Sequence, residues 1–217
     1  MKLQMWILFA CLTLQTPVAA AFNTSHAVSD TAQFALVKQN GGISLYERWY
    51  VGPTDIKARE VKAIFLVDIE PDAAVALIRD QRRGREWNKN TREYKVVELE
   101  GDKWISYLHY DLPWPLSDQD CVLEHSPYRH NNSIYIPFEA VPHVDFPESD
   151  RVQRIPNIRG KWVFSPDPAG TRVEYYITTT PSSSLPTWVT DPVIRNNLIA
   201  SLQAFRDILQ SKELTRK

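Results

Sequence analysis

The 217-residue chain is poor in cysteine and has no excess of either charge. Two cysteines, Cys11 and Cys121, are too few for the disulfide framework of a small secreted scaffold. The 25 lysine and arginine residues are balanced by 26 aspartate and glutamate residues, which are interspersed along the chain. We therefore expect a folded domain without a nucleic-acid partner.

The chain also lacks the short motifs of common catalytic sites. It contains no G-x-S-x-G, no glycine-rich phosphate loop, and no C-x-x-C or H-E-x-x-H. Cys121 and His125 would lie about 13 Å apart along a strand, too far for the histidine to activate the thiol. We expect no cofactor and no metal, because no third ligand accompanies the histidines at a recognised spacing.

The first 21 residues have the features of a secretory signal peptide. Lys2 precedes an apolar stretch over residues 5–14, and small residues at 18–21 match an A-x-A cleavage site. We expect cleavage near Ala21 and export of a single domain, residues 22–217, to the periplasm or outside the cell. Cys11 also matches part of a lipidation box, although the bulky Phe9 argues against lipidation.

Hydrophobic periodicity divides the remaining chain into two short helices, many strands and a long helix. Residues 28–39 fit a first helix that ends at Gly41-Gly42, and Pro71 fits the start of a helix over 71–81. The last helix is amphipathic and runs from about 186 or 191 to 212. Strands are predicted at 43–51, 56–69, 92–100, 103–111, 119–126, 132–141, 159–165 and 171–180. We expect a curved antiparallel sheet whose concave side covers the apolar face of the last helix.

Four motifs follow these elements in a fixed order. They are Arg85-Glu86-Trp87-Asn88, the segment 107–120, Gly160-Lys161-Trp162 and Leu185-Pro186-Thr187-Trp188. Together they resemble the START (StAR-related lipid-transfer) family of the helix-grip superfamily, over residues 30–212, and segment 107–120 is close to that of the phosphatidylcholine transfer protein group. The resemblance implies an α+β helix-grip fold, in which a curved antiparallel β-sheet wraps around a long C-terminal α-helix and encloses a hydrophobic tunnel.

The same resemblance implies which side chains line the tunnel. Strand 103–111 places Tyr107 and His109 on one face, and the family pattern puts the His109 face inside. Further lining residues are expected on strand 119–126 and on the C-terminal helix: Cys121, Leu123, His125, Leu198 and Leu202. His109 and His125 would orient the polar end of a ligand, or else they are core histidines with hydrogen-bond partners.

Tryptophans and two loops are candidates for the tunnel mouth. Trp87, Trp114, Trp162 and Trp188 suit either core packing or an interface with lipid, and Trp188 is the strongest mouth candidate. The serines at 182–184 fit a hinge before the last helix, and segment 142–150 resembles a loop over the mouth.

These expectations describe an exported monomer that holds one lipid or sterol-like molecule for transfer or sensing, with transient membrane contact and no catalysis. Two alternatives stay open. A polyketide cyclase or aromatase uses the same architecture with tunnel residues as acid or base. A domain with an empty tunnel could instead recognise a partner protein.

Overall fold

The computed structural model describes residues 33–51, 57–114, 116–180 and 187–211, with the side chains of the last segment described from residue 190 onward. The signal peptide predicted at residues 1–21, Cys11 and the hinge predicted at 182–184 lie outside these residues.

In the described part of the chain, eleven strands form one sheet in the order β1-β2-β3-β11-β10-β8-β6-β5-β4, with β7 beside β8 and β9 beside β6. All pairs are antiparallel except β6 with β9. The strands are β1 (Ala35–Asn40), β2 (Ile43–Val51), β3 (Lys57–Val67), β4 (Thr91–Glu98), β5 (Trp104–Tyr110), β6 (Gln119–His125), β7 (Tyr128–His130), β8 (Ser133–Ala140), β9 (Gln153–Arg154), β10 (Arg159–Asp167) and β11 (Gly170–Thr179).

Three helices are described: α1 (Pro71–Arg79), α2 (Gly84–Trp87) and α3 (Thr187–Leu209). Pro71 is the first residue of α1, where its fixed φ suits a helix and its missing N–H costs no hydrogen bond. The long α3 carries its buried apolar residues at helical spacing, from Ile199 to Leu209. The predicted helix-grip fold is confirmed, since the sheet curves around α3 as the periodicity indicated.

The predicted first helix at 28–39 is wrong for its described portion. Residues 35–40 form β1, which pairs with β2. Gly41 and Gly42 both have positive φ, 54° and 79°, and connect Asn40 to its partner Ile43 as a two-residue hairpin turn. Such turns need left-handed backbone at both central positions, which glycine adopts without a steric penalty. The glycine pair is therefore a hairpin turn and not a helix end.

The main core lies on the concave side of the sheet, against the second half of α3. Trp104, Phe164 and Phe205 are among its fully buried side chains, and the rings of Trp87 and Trp162 contact Phe205 at centroid distances of 5.0 and 5.2 Å. Burying this many large apolar groups is the main contribution to the stability of the fold.

A second, smaller core lies on the convex side, under the loop that follows β8. Phe146 in this loop packs on Ile105 and Val122. Arg154 holds the end of the loop to β6 through two hydrogen bonds to the buried Asp120, at 2.6 and 2.9 Å. The convex face of β5 and β6 is thus covered in part, with Ile105 and Val122 buried and Tyr107, His109 and Glu124 partly exposed.

Candidate ligand cavity

A cavity of about 280 Å³ lies between the concave face of the sheet and the first half of α3. That volume is near the lower end of the ~300–1,000 Å³ range of small-molecule sites. Its wall is mostly apolar and aromatic, including Val61, Trp87, Leu108, Tyr110, Leu123, Phe138, Trp162, Tyr175, Ile177, Val193, Leu198 and Leu202. An enclosed apolar space of this kind is suited to hold an apolar molecule away from water.

Strand β5 presents Ser106, Leu108 and Tyr110 to the cavity. Tyr107 and His109 alternate with them and lie on the convex face, so the prediction that the His109 face lines the tunnel is wrong. The Tyr107 ring stacks on Phe146 at 4.7 Å, and His109 Nε2 lies 3.2 Å from Asp118 Oδ2.

The error has a physical cause. The loop after β8 buries the convex face of β5, so both faces of the strand are apolar and alternation does not tell the inside from the outside. The same loop was predicted to cover the tunnel mouth at 142–150. It packs on the convex face instead, and residues 142–150 do not contribute to the cavity wall in the described part of the chain.

Strand β6 was assigned to the correct face. Leu123 and His125 line the cavity, and Cys121 shares their face but packs in the main core. Burial raises the pKa of the Cys121 thiol to about 12, so almost no thiolate forms at neutral pH.

His125 is a buried polar residue of the cavity wall. It is only 4% exposed, shares a 2.8 Å hydrogen bond between its Nε2 and Ser106 Oγ, and stacks on Trp104 at 4.8 Å. Burial lowers the pKa of His125 to about 3, so its ring is neutral at physiological pH. Its buried Nδ1 has no hydrogen-bond partner within the described chain. An unpaired buried nitrogen is costly in free energy.

Helix α3 contributes Leu198 and Leu202 to the wall, as predicted from the helical spacing. Trp188 lies in α3, and its side chain is outside the described part. Of the eight predicted ligand residues, the structure thus brings Leu123, His125, Leu198 and Leu202 to one cavity. Ligand contact by any of them stays a prediction.

The charged side chains that line the cavity among the described residues are Arg59 and Asp191. Arg59 Nη1 donates a 2.7 Å hydrogen bond to Asp191 Oδ1, which joins β3 to the first turns of α3. Sequence reasoning missed this pair, and it also missed Ser106 and Tyr110. The signal for Arg59 was weak, because an arginine near a strand end is normally solvated.

The loop between β5 and β6 forms part of the rim of the cavity. Leu112 and Leu116 line the cavity, whereas the intervening Trp114 side chain is 92% exposed. Ile194 of α3 also lines the cavity and is 39% exposed. The cavity therefore opens between this loop and α3, with an exposed indole beside the opening.

Neither metal ligands nor a membrane-spanning helix are found in the described residues. No three histidine, cysteine, aspartate or glutamate side chains come together there as a metal-binding group. No helix in the same residues is long and apolar enough to cross a bilayer.

The sequence of residues 37–215 matches the family model of the START domain. This chain belongs to the START family. The match covers every described strand except the first two residues of β1, and all three helices, so the START assignment rests on the whole fold and not on one motif.

START proteins with known names are similar to the chain in sequence and in structure. It is 23% identical to bovine phosphatidylcholine transfer protein over 194 residues, which is 87% of this chain and 85% of the relative. A crystal structure of a STAR-related lipid transfer protein from Xanthomonas axonopodis is 26% identical in sequence and has a TM-score of 0.72. The match covers 82% of this chain and 99% of that protein's chain. The Zhui aromatase/cyclase from Streptomyces shares the fold, with a TM-score of 0.53 at 13% identity, 70% of this chain and 93% of that chain being covered.

Proposed function

We propose that this START domain binds one hydrophobic lipid in its cavity and carries or senses it. The observation that supports this proposal most directly is the cavity itself, which is mostly apolar, bounded by α3 and lined by two residues with an unpaired buried polar atom, His125 and Trp87. The bovine relative is a phosphatidylcholine transfer protein and the Xanthomonas protein a lipid transfer protein. Their names agree with the chemistry of the cavity and make lipid the ligand class to test.

The polar end of the ligand binds beside His125 and Ser106. A hydroxyl or carbonyl there would complete the hydrogen bonding of the buried imidazole. Since His125 stays neutral, this end of the cavity offers no charge to a phosphate.

Filling the cavity tests this function. Leu198→Trp places a large ring in the ligand space, so affinity for NBD-labelled cholesterol or a fluorescent fatty acid should fall by about tenfold or more, as loss of ~1.4 kcal/mol of binding energy produces. Ala200→Trp adds the same ring on the exposed side of α3 and is the matched control. Equal affinity of both folded variants, measured by fluorescence titration, would refute binding in this cavity.

We infer a binding protein and not an enzyme of the cyclase type. Zhui shares only the fold at 13% identity. His125, with a pKa of about 3, is a weak base at neutral pH, and the Cys121 thiol, with a pKa of about 12, is a poor nucleophile. Turnover of a polyketide-like substrate that is lost in His125→Ala would overturn this inference.

Ligand exchange takes place against a membrane, with Trp114 inserting at the cavity rim. An indole is favoured at a lipid–water interface, and this one stands between two cavity-lining leucines. Trp114→Ala should lower binding to phospholipid vesicles by about tenfold, since burying some 60 Å² of indole contributes ~1.5 kcal/mol. Val144→Ala removes another exposed apolar side chain, on the convex loop, and should leave vesicle binding unchanged. Vesicle binding that both variants retain would remove Trp114 from the contact.

We further propose that the domain works as an exported monomer after removal of residues 1–21. The composition of these residues supports this proposal. N-terminal sequencing and light scattering of the protein from its own host test it. A retained N-terminus, a lipid on Cys11 or a stable dimer would each contradict it.

A further inference from the structure

The two halves of α3 are attached to the rest of the domain in different ways. In the second half, residues 199–209, Ile199, Phe205 and Leu209 are buried in the main core. In the first half, residues 187–198, the inward apolar side chains Val193 and Leu198 face the cavity and are only partly buried. Among the side chains described from residue 190 onward, apolar packing therefore fixes the second half more firmly than the first.

A chain of four charged side chains connects the first half of α3 to the sheet. Arg195 donates two 2.7 Å hydrogen bonds to the carboxylate of Glu47 in β2. The next link is Asp191, 3.5 Å from Arg195, which accepts the hydrogen bond from Arg59 in β3. Two carboxylates and two guanidinium groups alternate, so these four side chains together carry no net charge.

The setting of this ionic chain makes it a strong connection that can still open. Glu47 and Arg59 are largely buried, and a buried charge that loses its partner is costly. Arg195 is more exposed, with 29% of its side chain accessible, so water can reach that link when the helix moves. The ionic chain therefore favours one closed position of the first half of α3 over partly open ones.

We propose that Glu47, Arg195, Asp191 and Arg59 form an ionic latch that holds the first half of α3 closed over the ligand cavity, and that its opening controls ligand entry and exit. The inference rests on the proposed lipid-binding function for its role in exchange. The closed position of the helix depends on the latch with or without a ligand.

Hydrogen–deuterium exchange on the ligand-free chain tests the latch directly. In Asp191→Asn and in Arg59→Met, amides of residues 191–198 should exchange about tenfold faster or more. The reason is that the free energy of a hydrogen bond between charged groups is about equal to that of a tenfold change in an equilibrium constant. Amides of residues 202–209 should keep their exchange rates. Arg48→Met is the control for loss of an ion pair between the same two strands, because Arg48 pairs with Glu60.

Stopped-flow kinetics with NBD-labelled cholesterol tests the role in exchange. Association and dissociation rates should both rise in Asp191→Asn and Arg59→Met, with a smaller change in affinity. The rate increase in the double variant should be smaller than the product of the increases in the two single variants, as expected for partners in one interaction.

Unchanged amide exchange at 191–198 would overturn the latch whether or not the probe binds. Faster amide exchange with unchanged probe kinetics would overturn its role in ligand entry. A wild type that binds no probe would count against the proposed function, and amide exchange would still decide the latch.

Discussion

At the scale of single residues, His125 determines the polarity of the cavity. Its ring is held by a stacked Trp104 and a hydrogen bond from β5, in a space where an imidazolium would lose its hydration. A neutral imidazole with one free nitrogen can bond to a hydroxyl or a carbonyl, but it gives little attraction to an anion. The expected hydroxyl or carbonyl at the ligand's polar end follows from this side chain, whereas the apolar wall of the cavity supports the choice of a lipid.

The pH dependence of stability tests the state of His125. Its pKa is about 3 in the folded chain against 6.5 for an ordinary histidine, so the unfolded chain binds a proton that the folded chain does not. The free energy of unfolding is therefore unaffected by His125 protonation above pH 6.5. It decreases as the pH falls towards 3, by up to about 1.4 kcal/mol per pH unit. Urea unfolding between pH 4 and 7 should show a shallower pH slope for His125→Gln than for the wild type. Equal slopes would mean that His125 becomes charged inside the fold.

The alternation of side chains was informative on β6 and uninformative on β5. On β6 two of the three outward positions, Asp120 and Glu124, are acidic, which distinguishes that face from the inward one. On β5, Ile105 and Tyr107 are covered by a distant loop, so their apolar character carries no information about the concave side. The assignment of His109 to the cavity rested on the family pattern, and the residues of β5 offered nothing that could correct it.

At the scale of elements, the long α3, α1 and most strands could be predicted within a few residues, because their periodicity is uninterrupted. Contacts that form only in three dimensions could not be predicted. The convex position of the loop over residues 141–152 depends on the stacking of Phe146 on Tyr107 and on the hydrogen bond from Arg154 to Asp120. Neither pair is near in sequence. The Arg59–Asp191 pair spans 132 positions and was missed for the same reason.

The loop after β8 gives a prediction that separates the two interpretations of its position. Phe146→Ala should lower the free energy of unfolding by about 3 kcal/mol, because it removes a buried aromatic ring from the convex core. The release rate of NBD-labelled cholesterol should stay unchanged, because this loop does not line the cavity. Urea unfolding and stopped-flow release measure the two effects. A release rate that rises sharply at unchanged stability would restore the loop as a gate.

At the scale of the whole molecule, the sheet and α3 surround the cavity, and the proposed latch makes the first half of α3 the side that opens. The strand order places β1 and β4 at the two ends of the sheet, so the concave face is closed by α3 and not by strand pairing. Apolar packing anchors the second half of that helix, and charged groups hold the first half over the cavity. A container of this design can keep a lipid out of water and still release it at a membrane.

Native mass spectrometry of the mature protein purified from its own host tests the central proposal most directly. We predict one lipid-sized ligand per chain, retained in Ala200→Trp and absent from Leu198→Trp. A chain that is free of ligand as isolated, and that takes up neither fluorescent sterol nor fatty acid nor phospholipid, would contradict lipid binding as its function.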